Sequence, residues 1–352
     1  MNLNKVIVSD FAEVLADSDM KAFENSTIMV TGATGMIGSL LIKFLLYYNE
    51  LTLSHIKIIG VARDSQKAQK IYGDCLNDSC FTLLYKDITE PIDIESNLDY
   101  IFHTASATNS KFFVTHPAET MDTMYIGTKN ILELARKKSL KSMIYLSSME
   151  MYGKPDAELE YVKEENLGYI DILNVRSSYS EGKRISECLC AAYCHQFQVP
   201  VKIARLAQTF GAGVLENDNR VYAQFARSVI EGKDIVLHTN GKSWGNYCYT
   251  SDLIKALILL NIKGNNGEAY NICNEENTRM IVEMAELVVR KFGNDQVKLV
   301  FDIPEDNLKY GYAPEVKMRL SSQKLRGIGW NPQVKLEEMY RRMIQYMKLE
   351  FV

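Results

Sequence analysis

The 352-residue chain is 47% hydrophobic and 24% charged, with a formal net charge of −4. That is ordinary globular composition, long enough for two domains or for one large domain with a lobe, and its mild acidity excludes charge-driven binding to nucleic acid or an anionic membrane. No apolar run approaches the roughly 20 residues that span a bilayer, and the acidic, amphipathic start lacks the shape of a secretory signal, so a cytoplasmic protein is expected.

Residues 1–24 read as a helical extension before the main fold. The stretch STIMVTGATGMIGSLLIKFLLYYN then reads strand, glycine turn, helix. Further strands are predicted within 56–62, 81–88, 98–106, 141–148 and 201–206, and helices over 125–138 and 178–197. Such alternation predicts an α/β fold with a parallel sheet covered on both faces. Beyond residue 206 the rhythm changes to loops rich in Gly, Asn and aromatics. Helices over 250–261 and 278–292, a strand within 296–303 and a last helix from about 335 are predicted there. The expected organisation is a dinucleotide-binding domain over 25–206, to which 246–274 returns, and a smaller substrate-binding lobe from 207–245 and 275–352. Cys188, Cys190 and Cys194, beside His195, fit no standard zinc spacing, so core packing and no metal site are expected.

Gly32, Gly35 and Gly38 form G-x-x-G-x-x-G between the first strand and the first apolar helix. Glycines let the backbone turn tightly against a pyrophosphate, and the helix start offers free N–H groups and the positive end of its dipole. In this context the fold class becomes a Rossmann-type doubly wound sheet. The second strand ends GVARD, which puts Ala62 where an NAD-specific fold carries an acid, followed by Arg63. An arginine there suits a 2′-phosphate, which favours NADP(H) over NAD(H), although Asp64 follows directly.

Tyr179 and Lys183, in YSEGK, lie four apart and share one helical face. A phenol is a poor base unaided, but a lysine ammonium and an oxidised nicotinamide nearby would favour its phenolate. Tyr179 could then exchange a proton with a substrate hydroxyl as hydride leaves or returns at carbon, with Lys183 on the nicotinamide ribose. Ser148, which closes the fifth strand, could hydrogen-bond the same substrate oxygen, and Ser147 is the neighbouring candidate.

Together TGATGMIGS, KDI, GTKN, SSMEMYG, YSEGKR and YTSDLIKAL resemble the extended short-chain dehydrogenase/reductases of the NAD-dependent epimerase/dehydratase type, over roughly residues 25–350. The motifs are most similar to those of UDP-glucuronate decarboxylases and nucleotide-sugar 4,6-dehydratases. The resemblance implies Ser148, Tyr179 and Lys183 as the catalytic triad. It implies a cofactor cradle of Gly32, Thr34, Gly35, Met36, Ile37 and Gly38, with Arg63, Asp87 and Ile88 at the adenine end and Thr104, Ala105 and Ser106 alongside. Such enzymes oxidise a sugar hydroxyl at C4 and work beside the new ketone. Glu150, two residues after Ser148, stands where they carry an acid, and its apolar neighbours Met149 and Met151 would sharpen it as a base. A homodimer formed through the Tyr–Lys helix is also implied.

Several positions depart from the pattern. Met149 replaces the acid used in 4,6-dehydration, and Met124 replaces a supporting Asn. On the substrate side Gln208 replaces an Asn, and Gly245 replaces an arginine that grips the diphosphate. Arg205, Arg220 and Lys242 are candidates to compensate, and Arg176 and Arg220 match basic positions of related decarboxylases. The expected function is therefore epimerisation, dehydration or decarboxylation of a nucleotide sugar. The alternatives are an NADPH-dependent reductase of a sugar phosphate or other carbonyl, and a non-catalytic dinucleotide sensor.

Overall fold

Apolar runs too short for helices and amphipathic stretches too long for strands alternate along the first 206 residues, and the computed structural model turns that alternation into a wound sheet. It describes residues 3–108, 110–303 and 317–352. In chain order the elements begin α1 (Lys5–Asp17), β1 (Thr27–Thr31), α2 (Met36–Thr52), β2 (Lys57–Ala62), α3 (Ser65–Tyr72), β3 (Phe81–Tyr85) and β4 (Tyr100–His103). They continue α4 (Ser110–Thr115), α5 (Pro117–Lys137), β5 (Ser142–Ser148), α6 (Ser177–Phe197), β6 (Val201–Leu206), β7 (Gln208–Phe210), α7 (Val221–Glu231) and β8 (Ile235–Leu237). The rest are β9 (Trp244–Tyr249), α8 (Thr250–Lys263), β10 (Ala269–Ile272), β11 (Asn274–Met280), α9 (Ile281–Phe292), β12 (Leu299–Phe301), α10 (Gln323–Gly327) and α11 (Leu336–Phe351).

The main sheet has seven strands in the order β3-β2-β1-β4-β5-β6-β10. Every pairing in it is parallel. The order reverses between β1 and β4, so a crevice opens beyond their carboxyl ends, where open α/β sheets bind ligands. Helices α2 and α8, with α1, pack one face, and α5 and α6 the other. The central strand TIMVT is buried throughout, which is why it reads as an unbroken apolar run. Beyond the carboxyl edge, β11-β9-β7 form a three-stranded sheet and β12-β8 a two-stranded one.

Two boundaries differ from the sequence reading. Helix α5 begins at Pro117, eight residues before the expected start, because proline suits the first helical turn. Helix α9 begins only at Ile281, since 274–280 pairs with β9 as a strand. Helix α1 is no loose extension: Val6, Ile7, Phe11 and Val14 lie in the main core, and Asp10 accepts hydrogen bonds from Tyr249 (2.7 Å) and Arg342 (2.8 Å). Among the described residues no helix is long and apolar enough to cross a membrane.

Candidate active site

The glycine turn joins β1 to α2 with the backbone of β4's end pressed against it. Gly32 has φ +66°, and a Cβ there would stand 2.8 Å from Ala105 N and Cα. A Cβ on Gly38 would stand 2.4 Å from the Gly32 carbonyl oxygen. Thr104 reinforces the contact by donating to the Thr31 carbonyl (2.7 Å), and Ala105 N donates to Thr31 Oγ1 (3.2 Å). No side chain caps α2, which starts at Met36 after Gly35. Its first-turn amides therefore have no intrahelical acceptor and face the crevice end of β1, as a bound pyrophosphate requires. The residues fit a dinucleotide on this observation. Ser106 runs on past β4 with its hydroxyl on the Ala107 carbonyl.

At the far end of the cradle β2 stops at Ala62, and Arg63 forms an ion pair with Asp87 at 3.2 Å while its side chain stays 72% exposed. Burial pushes the Asp87 carboxyl up, but hydrogen bonds from Thr89 and from Arg63 outweigh it and hold the group below its usual range. Asp64 caps α3 by accepting from Lys67 N (2.9 Å). Ile88 is buried and packs on Gly127 of α5, and its carbonyl accepts from Asn130.

Helix α6 carries Tyr179 and Lys183 on one face toward β5. The Tyr179 ring stacks on Phe113 with centroids 4.3 Å apart and planes 18° off parallel, and Met124 completes this small apolar cluster. Met124, which replaces the supporting Asn, thus serves as an apolar wall beside the phenol. Lys183 Nζ donates to the Leu146 carbonyl (2.7 Å) and lies 5.8 Å from the Tyr179 ring centroid. Burial pushes the lysine down to about 8, against the opposing charges of Glu187 and Cys190. Burial also pushes the Tyr179 phenol up and Glu150 adds to this, while Ser148, Arg220 and Arg176 pull it down. Burial outweighs them in the protein alone, so the charge of an oxidised nicotinamide is the part of the expected environment that would favour the phenolate.

Ser148 links the parts. Its hydroxyl faces Tyr179, and its Oγ accepts from Glu150 N (3.2 Å), capping the 3-10 turn Met149–Tyr152. Glu150 therefore leaves β5 at a set angle, and its carboxylate accepts from Arg176 (3.1 Å) just before α6. Arg220 lies close enough to act on Tyr179, but its guanidinium forks onto Asp218 and stacks on Tyr222. Gln208 is half-buried at the start of β7, opposite Tyr247 of β9.

Ser147 does not join them. Alternation along β5 turns its side chain the other way, where it donates to Glu187 at 2.5 Å. Arg205, offered above as a diphosphate partner, is likewise committed. It forks onto Glu187 (2.7 and 3.1 Å) and donates to Tyr152 Oη (2.9 Å) and the Glu164 carbonyl (2.6 Å). Tyr152 passes the network to Asn271 of β10 (2.7 Å). Sequence reasoning missed Glu187 as a partner of this site. The available signal was its place one helical turn after Lys183 on the same face. Among the described residues no group of His, Cys, Asp and Glu could hold a metal.

The family model described as NAD dependent epimerase/dehydratase family matches residues 28–273. The chain is 31% identical over 317 residues to UDP-glucuronic acid decarboxylase 6 of Arabidopsis thaliana, covering 89% of this chain and 86% of that one. It is 29% identical over 353 residues to UDP-glucuronic acid decarboxylase 1 of Xenopus tropicalis, covering 99% and 78%. Its fold matches that of UDP-glucuronic acid 4-epimerase from Bacillus cereus, solved with UDP-glucuronic acid and NAD, with TM-score 0.74 and 19% identity over 92% of this chain and all (100%) of that one.

Proposed function

The chain belongs to the NAD dependent epimerase/dehydratase family, and from that premise we propose that it oxidises the C4 hydroxyl of a nucleotide sugar and works beside the resulting ketone, decarboxylation of a UDP-uronic acid being the reaction that fits best. The observation that carries this reading is that Ser148 holds the Glu150 amide and faces Tyr179, with Lys183 near the Tyr179 ring on the Leu146 carbonyl and Arg176 paired to Glu150.

In this reading Ser148 holds the C4 oxygen and Tyr179 takes its proton, helped by the positive charges of Lys183, Arg176 and Arg220. A nicotinamide dinucleotide, held by the Gly32–Gly38 turn, Thr104–Ser106, Asp87 and Lys183, supplies the hydride acceptor and later the hydride donor. A C4 ketone makes the C6 carboxylate of a uronic acid a β-keto acid. Carbon dioxide leaves as the electrons of its bond pass into the C4 carbonyl, whose oxygen Ser148 and Tyr179 stabilise. Glu150 would then pass a proton to C5 of the resulting enolate, and Arg176 holds the Glu150 carboxyl group in place. Loss of water would need an acid for the leaving hydroxyl, and Met149 cannot serve as one. Decarboxylation needs none, and the names of the decarboxylase relatives support it.

NADP(H) is the proposed cofactor form. No acid ends β2, Asp64 is committed to the α3 cap, and among the described residues Arg63 is held by one exposed pair that a 2′-phosphate could displace. A homodimer is proposed through the outer faces of α5 and α6, where Tyr125, Ile126 and Ile185 are exposed.

The test is conversion of UDP-glucuronic acid followed by NMR, with the dinucleotide released from denatured protein identified by mass spectrometry. A UDP-pentose formed without net consumption of dinucleotide is expected. No conversion, together with stoichiometric oxidation of NADPH by a simple carbonyl, would replace this reading with the reductase.

A further inference from the structure

A nucleoside diphosphate brings negative charge that needs a cation, and most arginines around the crevice are already engaged. Arg205 serves Glu187, Arg220 serves Asp218 and Arg176 serves Glu150. Arg184 donates to the carbonyls of Met151 and Gly168. Arg319 differs. It lies on the segment 317–320, which runs beside β9: Lys317 bridges Trp244, and Leu320 N donates to Asn246 Oδ1 (2.5 Å).

The Arg319 guanidinium lies over two rings, 4.9 Å from the Tyr161 centroid and 5.6 Å from that of Trp244. Among the described residues it has no ion pair, and its Nε is buried without any hydrogen-bond partner. A buried guanidinium nitrogen with no acceptor is costly and leaves room for a partner. The two aromatic faces hold the guanidinium plane by cation–π attraction and leave the edges of the fork for an anion. Its position suits the site as well. Met318 and Leu320, on either side of Arg319, belong to the apolar cluster that contains Met151 and touches Met149, the neighbours of Glu150. Arg319 and Glu150 therefore both flank one small apolar cluster.

We propose that Arg319, held flat by Tyr161 and Trp244, is an anchor for the diphosphate of the substrate. The proposal rests on the nucleotide-sugar reading above and names a residue that binds the part of the substrate remote from the reacting carbon.

The experiment is calorimetric titration of the full-length protein with UDP, for the native chain and for Arg319→Met and Arg319→Lys, alongside turnover of UDP-glucuronic acid and thermal melting. Met keeps the stem between the two rings and removes the charge. Arg319→Met should bind UDP roughly 10- to 100-fold more weakly, with KM raised in proportion, kcat within a few-fold and melting unchanged. Arg319→Lys should recover part of the affinity, because the charge returns without the fork. Unchanged UDP affinity in Arg319→Met overturns the proposal, and if melting falls as well, Arg319 is a packing staple. A native chain that binds dinucleotide but no nucleoside diphosphate overturns the nucleotide-sugar reading, and the proposal with it.

Discussion

Glu150 and Arg176 meet at 3.1 Å, although one lies in the turn after β5 and the other stands just before α6. Glu150→Gln keeps a hydrogen-bond acceptor for Arg176 and removes the carboxyl group that passes a proton to C5. C4 oxidation should continue, while the step beside the ketone should slow by roughly 10²- to 10⁴-fold. Single-turnover absorbance of the reduced dinucleotide would show it building up without product. Full turnover by Glu150→Gln would remove this residue from the mechanism.

Tyr179→Phe leaves the ring on Phe113 and deletes only the hydroxyl. Turnover should fall by roughly 10²- to 10⁴-fold, with dinucleotide content retained and the melting temperature unchanged or higher. A stable variant with near-native turnover would exclude Tyr179 as the proton carrier.

Lys183 sets an alkaline limit. It faces Tyr145 and Tyr179 rings, Glu187 and Cys190 on its own helix, and its charge acts on buried His103. Burial brings its ammonium down to about 8. If the ammonium form is the working form, kcat/KM should decline as pH rises through about 8. The sign for stability is opposite. The unfolded lysine keeps its proton to about pH 10.4, so between the two values the unfolded chain binds more protons and stability rises with pH. Lys202, also near 8, adds to this slope. Denaturation curves at several pH values should show Lys183→Met with a shallower rise than the native chain.

The buried pair of Glu187 and Arg205 joins α6 to β6, and through Ser147 and Tyr152 to both sides of Glu150. Glu187→Ala strands a buried guanidinium and should cost about 3–5 kcal/mol. Glu187→Leu with Arg205→Met removes both charges and should recover most of that loss. Urea denaturation of the single and double variants measures the difference, and equal stabilities would show that the pair has no coupling.

Arg63→Ala removes the exposed guanidinium at the end of β2. The affinity for NADP(H) should fall by roughly tenfold or more while that for NAD(H) changes little. Equal losses for both forms would place Arg63 away from the 2′ position.

The sequence by itself determined the wound sheet and the kind of chemistry, because these rest on local spacing. Period and length set β1 to β6 apart from α2, α5 and α6, the glycine turn marks the cradle, and an i, i+4 spacing puts Tyr179 and Lys183 on one face. The lobe was less legible. Strands such as β7 and β8 have three residues each, too few for a period, and the end of β11, 278–280, reads as the start of a helix until β11 pairs with β9. Only the tertiary structure decided which charges are available. Nothing local in the sequence says that Ser147 turns to Glu187 while Ser148 turns to Tyr179, that Arg205 and Arg220 have carboxylate partners, or that Arg319 has two rings and, among the described residues, no acid. The strength of a charge depends on its burial and its neighbours, and those neighbours come from distant parts of the chain.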